Sequence, residues 1–124
     1  MKKEIKTRED IVLLVNAFYE RVKEDELLAP IFNDVAKINW TSHLPVMYDF
    51  WAMVLLGDTT YKGNPMTPHL ALNKKFTLTQ EHFNRWLDLF NKTIDAHFKG
   101  DKAEEARTRA VSIAGLMQHK IQSI

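Results

Sequence analysis

The chain has five histidines, at positions 43, 69, 82, 97 and 119. No two are three or four residues apart, the spacing that would set a pair of zinc ligands on one helix face. A hydrolytic metal centre therefore has little support. His69 has unusual surroundings: it sits in PMTPHLALNKKF, residues 65–76, directly after Pro68 and just before Leu70 and Leu72. Proline fixes its own φ and disfavours helix in the residue before it, so this histidine is carried on a short piece of structure. His43 opens a segment whose next turns present Met47 and Trp51. Tyr19 lies beside Phe18, and Trp86 lies on another apolar stripe. Imidazole, phenol and indole all seek hydrogen-bond partners when buried, since an unsatisfied buried polar group costs roughly 1–3 kcal/mol. Two accounts fit His43 and His69: unrelated histidines bonded to backbone, or two groups facing one shared ligand. Taken alone, Tyr19 and Trp86 read as core aromatics.

The elements that must carry these residues are helices. Thr7-Arg8-Glu9-Asp10 reads as a capped start, and Ile11, Leu14, Val15, Phe18, Tyr19 and Val22 recur at helical spacing. This predicts a first helix over residues 8–24. Thr41 or Ser42 is the expected cap of a second helix with Leu44, Met47, Trp51, Val54 and Leu55 on one face. Pro45 then falls in its first turn, where a missing amide costs little, and Gly57 ends it. Residues 57–67 read as a long loop. Thr77 to Gln80 offers another capped start. Phe83, Trp86, Leu87, Phe90, Ile94 and Phe98 form the stripe of a third helix, closed by Gly100. Asp101 to Glu104 repeats the capping-box spacing before a last helix lined by Ala110, Ile113, Ala114, Met117 and Ile121. His82 is expected at the surface, and His97 and His119 near helix ends, where they meet terminal carbonyls. No alternation of period two is long enough for a strand. The fold class is all-α.

Bulk composition narrows the function. A length of 124 residues suits one domain, and 45% hydrophobic residues suffice for a core. Seventeen basic and sixteen acidic residues leave a net charge of +1, with no basic stripe for nucleic acid. Absence of cysteine excludes disulfides, thiolate metal sites and cysteine nucleophiles. No apolar run approaches a membrane span or a signal peptide, so the expected location is cytoplasmic. Glycine-rich phosphate loops and a serine nucleophile elbow are missing.

In order along the chain stand Phe18-Tyr19-Glu20-Arg21-Val22, Pro30-Ile31-Phe32-Asn33, Trp40 to His43, and Phe50-Trp51 with Leu55-Leu56-Gly57. Tyr61 to Pro65, His69-Leu70, and Phe83 to Phe90 centred on Trp86 follow. Taken together, these stretches resemble the truncated haemoglobins, most closely their third group. The adjacent glycine pairs typical of the other truncated groups are absent.

The resemblance implies a single truncated-globin domain over residues 1–124, a two-over-two helical sandwich around haem b. It implies His69 as the proximal ligand of the iron, and Tyr19, His43 and Trp86 as the distal polar set over the bound gas. Phe32, Met47, Trp51, Leu70 and Phe76, with Trp86, become candidates for packing on the haem. Lys74, Lys75 and Arg85 are candidates for its propionates by proximity to the proximal segment. Imidazole is a strong neutral ligand for ferrous haem, and donors over bound dioxygen each add about 0.5–1.5 kcal/mol. Three such donors imply slow release, which suits redox chemistry such as nitric oxide dioxygenation or peroxide-type oxidation, with a reductase as electron donor. The alternative is storage, transport or sensing of a diatomic gas without turnover.

Overall fold

A computed structural model describes residues 2–30, 40–58 and 79–122. These residues form four long helices: α1 (Arg8–Glu24), α2 (Trp40–Leu56), α3 (Gln80–His97) and α4 (Asp101–Gln122). α1 packs against α2 and α3, α3 packs against α4, and α2 lies more lightly against α4. No described helix is long and apolar enough to cross a membrane.

α1 spans the residues its pattern predicts. Thr7 Oγ1 accepts from the Asp10 amide at 3.4 Å, and Asp10 Oδ2 accepts from the Thr7 amide at 3.0 Å. Two amide donors that a helix start leaves open are thereby satisfied. Ile11, Leu14, Val15, Phe18, Tyr19 and Val22 are buried along one face, each large apolar side chain contributing roughly 1.5–3 kcal/mol on burial. Burial by itself would raise the Asp10 pKa. The Lys3 ammonium at 2.7 Å and the amides of Lys6 and Thr7 outweigh it, holding the carboxyl at about 2 against an ordinary 3.8. Because the folded value is depressed, this stabilisation is complete above about pH 4 and is lost as pH falls toward 2. Asp10→Asn is expected to lower the melting temperature at neutral pH and to flatten its acid slope between pH 4 and 2, as thermal melts across that range will show.

α2 starts earlier than its sequence suggests. Trp40 is already helical, so Thr41 and Ser42 lie inside the helix rather than at its cap. Pro45 consequently occupies the second turn, where the helix loses the bond its amide would make to the Thr41 carbonyl. The helix continues through it because Phe50, Trp51, Ala52 and Leu55 are buried further along.

The α3–α4 corner also departs from expectation. α3 ends at His97, and Phe98 is extended at φ −133°, ψ 160°. Phe98 pairs with Lys3 as an isolated bridge: the Lys3 amide donates to His97 O at 3.1 Å, and the Lys99 amide to Lys3 O at 3.0 Å. Gly100 therefore does not close α3. With φ at +91° it precedes α4, its carbonyl accepting from the Glu104 amide at 3.1 Å, and Asp101 is helical rather than a cap. A Cβ at Gly100 would meet the Glu4 side chain at 3.0 Å. α4 buries alanines at 103, 106, 110 and 114, small residues that let α3 approach closely.

Candidate haem pocket

The three sequence-predicted distal residues stand on three different helices. Tyr19 follows Phe18 on the buried face of α1 and is only 7% exposed. His43 lies in the first turn of α2, with Met47 and Trp51 one and two turns further along the same face. Trp86 and Phe90 are four apart on α3 and share a face.

Packing of these faces makes one aromatic cluster. The Tyr19 ring meets the His43 imidazole at 5.5 Å between centroids, inclined by 78°. Phe18 is the hub: its ring lies 5.0 Å from Tyr19, 5.5 Å from Trp86 and 5.3 Å from Phe90. Phe90 in turn stacks on Trp86 at 5.8 Å and on Trp51 at 5.0 Å. Edge-to-face and offset-stacked contacts of this kind stabilise beyond the area they bury. The His43 imidazole faces Tyr19 although Pro45 follows two residues later and removes a helix bond. Met47 is half-buried against the same core.

Polar ties hold these helices in register. Between α1 and α2, Tyr48 donates to Asn16 Oδ1 at 2.5 Å, and Arg8 pairs with Asp49 at 2.6 Å. Between α1 and α3, Arg85 meets Asp25 Oδ1 through Nε and Nη2, each at 2.5 Å. Arg85 is thus engaged with a carboxylate beside α1.

The electrostatics favour donors. Burial pushes the Tyr19 hydroxyl above its ordinary value, so at neutral pH it stays protonated and able to donate. His43 Nε2 is shielded from solvent, and the indole of Trp86 can only donate. Tyr19, His43 and Trp86 thus belong to one aromatic cluster, and the chemistry of this polar set suits a haem that carries a partly anionic diatomic ligand.

Phe32, His69, Leu70, Lys74, Lys75 and Phe76 lie outside the described residues. His82 serves the start of α3, its Nδ1 accepting from the Thr79 amide at 2.9 Å. His97 ends α3 with its ring 6.2 Å from Phe98, and His119 lies on α4. Sequence reasoning passed over Asp25. Its local bonds to the Leu27 and Leu28 amides are ordinary turn chemistry, and its partner across the fold is sixty residues away.

A family model of bacterial-like globins matches residues 3–123. The chain belongs to the bacterial-like globin family, in its third truncated group. The group 3 truncated hemoglobin of Campylobacter jejuni is 34% identical to this globin, the match covering 98% of this chain and 95% of that protein. A crystal structure of group III truncated hemoglobin from Campylobacter jejuni superposes with a TM-score of 0.85 at 33% identity, again covering 98% and 95% of the two chains. The all-α architecture is accordingly that of a truncated globin. Membership of the family implies haem-based binding of a diatomic gas such as dioxygen.

Proposed function

We propose that this globin is a single haem b domain that retains dioxygen for redox chemistry, nitric oxide dioxygenation or peroxide-type oxidation, rather than for delivery. His69 would supply the proximal imidazole, a ligand whose tautomer is fixed when its other ring nitrogen donates a hydrogen bond. Phe32, Met47, Trp51, Leu70 and Phe76 pack on the macrocycle. When bound, haem supplies the ferrous iron that takes the gas and the one electron that, with one nitric oxide and one dioxygen, yields one nitrate, so a reductase is needed as electron donor for repeated turnover.

The observation that carries this reading is one chain of ring contacts from three helices: Phe18 touches both Tyr19 and Trp86, and Tyr19 touches His43. Tyr19 and Trp86 would donate to a diatomic ligand bound there, and His43 would add a third polar contact. Phe18, Phe90 and Trp51, all buried, keep water from competing for those donors. In such surroundings a hydrogen bond to a partly charged ligand is stronger than in water. The domain works in the cytoplasm.

Stopped-flow mixing of the oxygenated protein with nitric oxide tests the proposal. Stoichiometric nitrate, formed much faster than dioxygen leaves, is expected. Nitrate formation slower than dioxygen release, with release itself fast, would reassign the protein to delivery or storage.

A further inference from the structure

Asp25 sits at the end of α1, six residues after Tyr19. Its side chain is only 2% exposed. It accepts from the Leu27 amide at 3.1 Å and the Leu28 amide at 3.0 Å, anchoring the turn that follows α1. Its other oxygen takes Nε and Nη2 of Arg85. Burial by itself would raise this carboxyl. The Arg85 guanidinium and the two amides outweigh it and hold it below the ordinary range, so the anchor is an anion at neutral pH. Arg85 immediately precedes Trp86 on α3, while Trp86 meets α1 at Phe18, the residue before Tyr19. α1 and α3 are therefore joined at two places about two turns apart along α1: an aromatic contact at Phe18 and a two-pronged ion pair to the buried Asp25.

The geometry points to Asp25 and Arg85 as a positioning pair that sets the rotation of α3 against α1, and so the aim of the Trp86 indole at the gas ligand. This rests on the reading of Trp86 as a distal donor. Neither side chain of the pair need touch haem or gas; both act through Trp86. Ring contacts alone leave the indole free to slide, since aromatic packing is tolerant of small offsets. A guanidinium held at two nitrogens is not, because both bonds weaken steeply away from their preferred angles. Hydrogen bonds from Trp86 to the ligand depend on the same angles.

The test uses the full haem-loaded protein. Arg85→Gln and Arg85→Lys are compared with wild type in dioxygen dissociation rate and in the C–O stretching frequency of the carbon monoxide complex. Arg85→Lys keeps a cation beside the buried Asp25 carboxylate, and Arg85→Gln leaves it held by the Leu27 and Leu28 amides, so the glutamine variant is expected to fold with a lower melting temperature. Arg85→Lys keeps the charge and loses the fork. With Trp86 misaimed, dissociation is expected to speed up about threefold in both variants, a fraction of a full hydrogen bond. The C–O frequency is expected to rise, because a weaker donor draws less charge into the ligand. In a Trp86→Phe background the same Arg85 substitutions are expected to change neither readout further. Wild-type dissociation and frequency in Arg85→Gln, whatever its melting temperature, would overturn the inference. So would a shift that persists in full without Trp86. If Trp86→Phe alone leaves both readouts unchanged, the assignment of Trp86 as a donor fails, and the role of the pair falls with it. If Trp86→Phe acts and Arg85→Gln does not, only the positioning role is lost.

Discussion

Tyr19→Phe and Trp86→Phe are each expected to release dioxygen roughly tenfold faster, the effect of losing one hydrogen bond of about 1.4 kcal/mol expressed in dissociation. Phenylalanine preserves the ring at 19, so the contacts to Phe18 and His43 survive and the change isolates the hydroxyl. At 86 it preserves an aromatic face for Phe90 and removes the indole donor. If the two donors act independently, the double variant is faster by about a hundredfold. The two rings share Phe18 as a neighbour, 5.0 Å from one and 5.5 Å from the other. A coupling that makes the double effect smaller than the product is therefore expected. Stopped-flow displacement of bound dioxygen by excess carbon monoxide gives all four dissociation rates. Unchanged rates in both single variants would mean that the aromatic cluster is only core, and the case for redox chemistry over delivery would lose its support.

His69→Ala is the second large change. Ferrous haem needs a strong neutral nitrogen ligand, and imidazole supplies it. His69 is the proximal ligand proposed from the resemblance to the truncated haemoglobins, while His43 faces Tyr19, His82 accepts at the start of α3, and His97 ends that helix. Alanine at 69 is expected to weaken haem retention and abolish the spectrum of an imidazole-ligated iron. The helical content set by α1, α3 and α4 should be kept, as circular dichroism of the apoprotein will show. Added imidazole is expected to restore the spectrum in part, because it supplies the same neutral nitrogen ligand in free form.

Much of this was legible in the chain. α1 declared both ends, because Thr7, Asp10 and the stripe from Ile11 to Val22 agree with one another. Tyr19, His43 and Trp86 could be grouped only through the resemblance to a family, since they come from three helices and no spacing links them. Local signals misled where one residue type serves two ends. Gly100 reads as a helix stop, yet its positive φ leads into α4, because Phe98 leaves α3 early to pair with Lys3. Pro45 reads as a first-turn residue, yet the helix begins at Trp40 and tolerates the lost bond. The close approach of α4 depends on Ala103 and Ala106, which a search for large apolar residues passes over. The Asp25–Arg85 tie had no signal at all, since a pair of charges sixty residues apart is visible only once α1 and α3 are packed.

The most direct test of the central claim is the visible absorption spectrum of the purified protein titrated with haem, for wild type and for His69→Ala. Stoichiometric uptake by the wild type is expected, with an intense haem band that shifts when dioxygen or carbon monoxide is added, and a ferrous spectrum in His69→Ala that differs until imidazole is supplied. A chain that takes up no haem, or a spectrum that His69→Ala leaves unchanged, would contradict it.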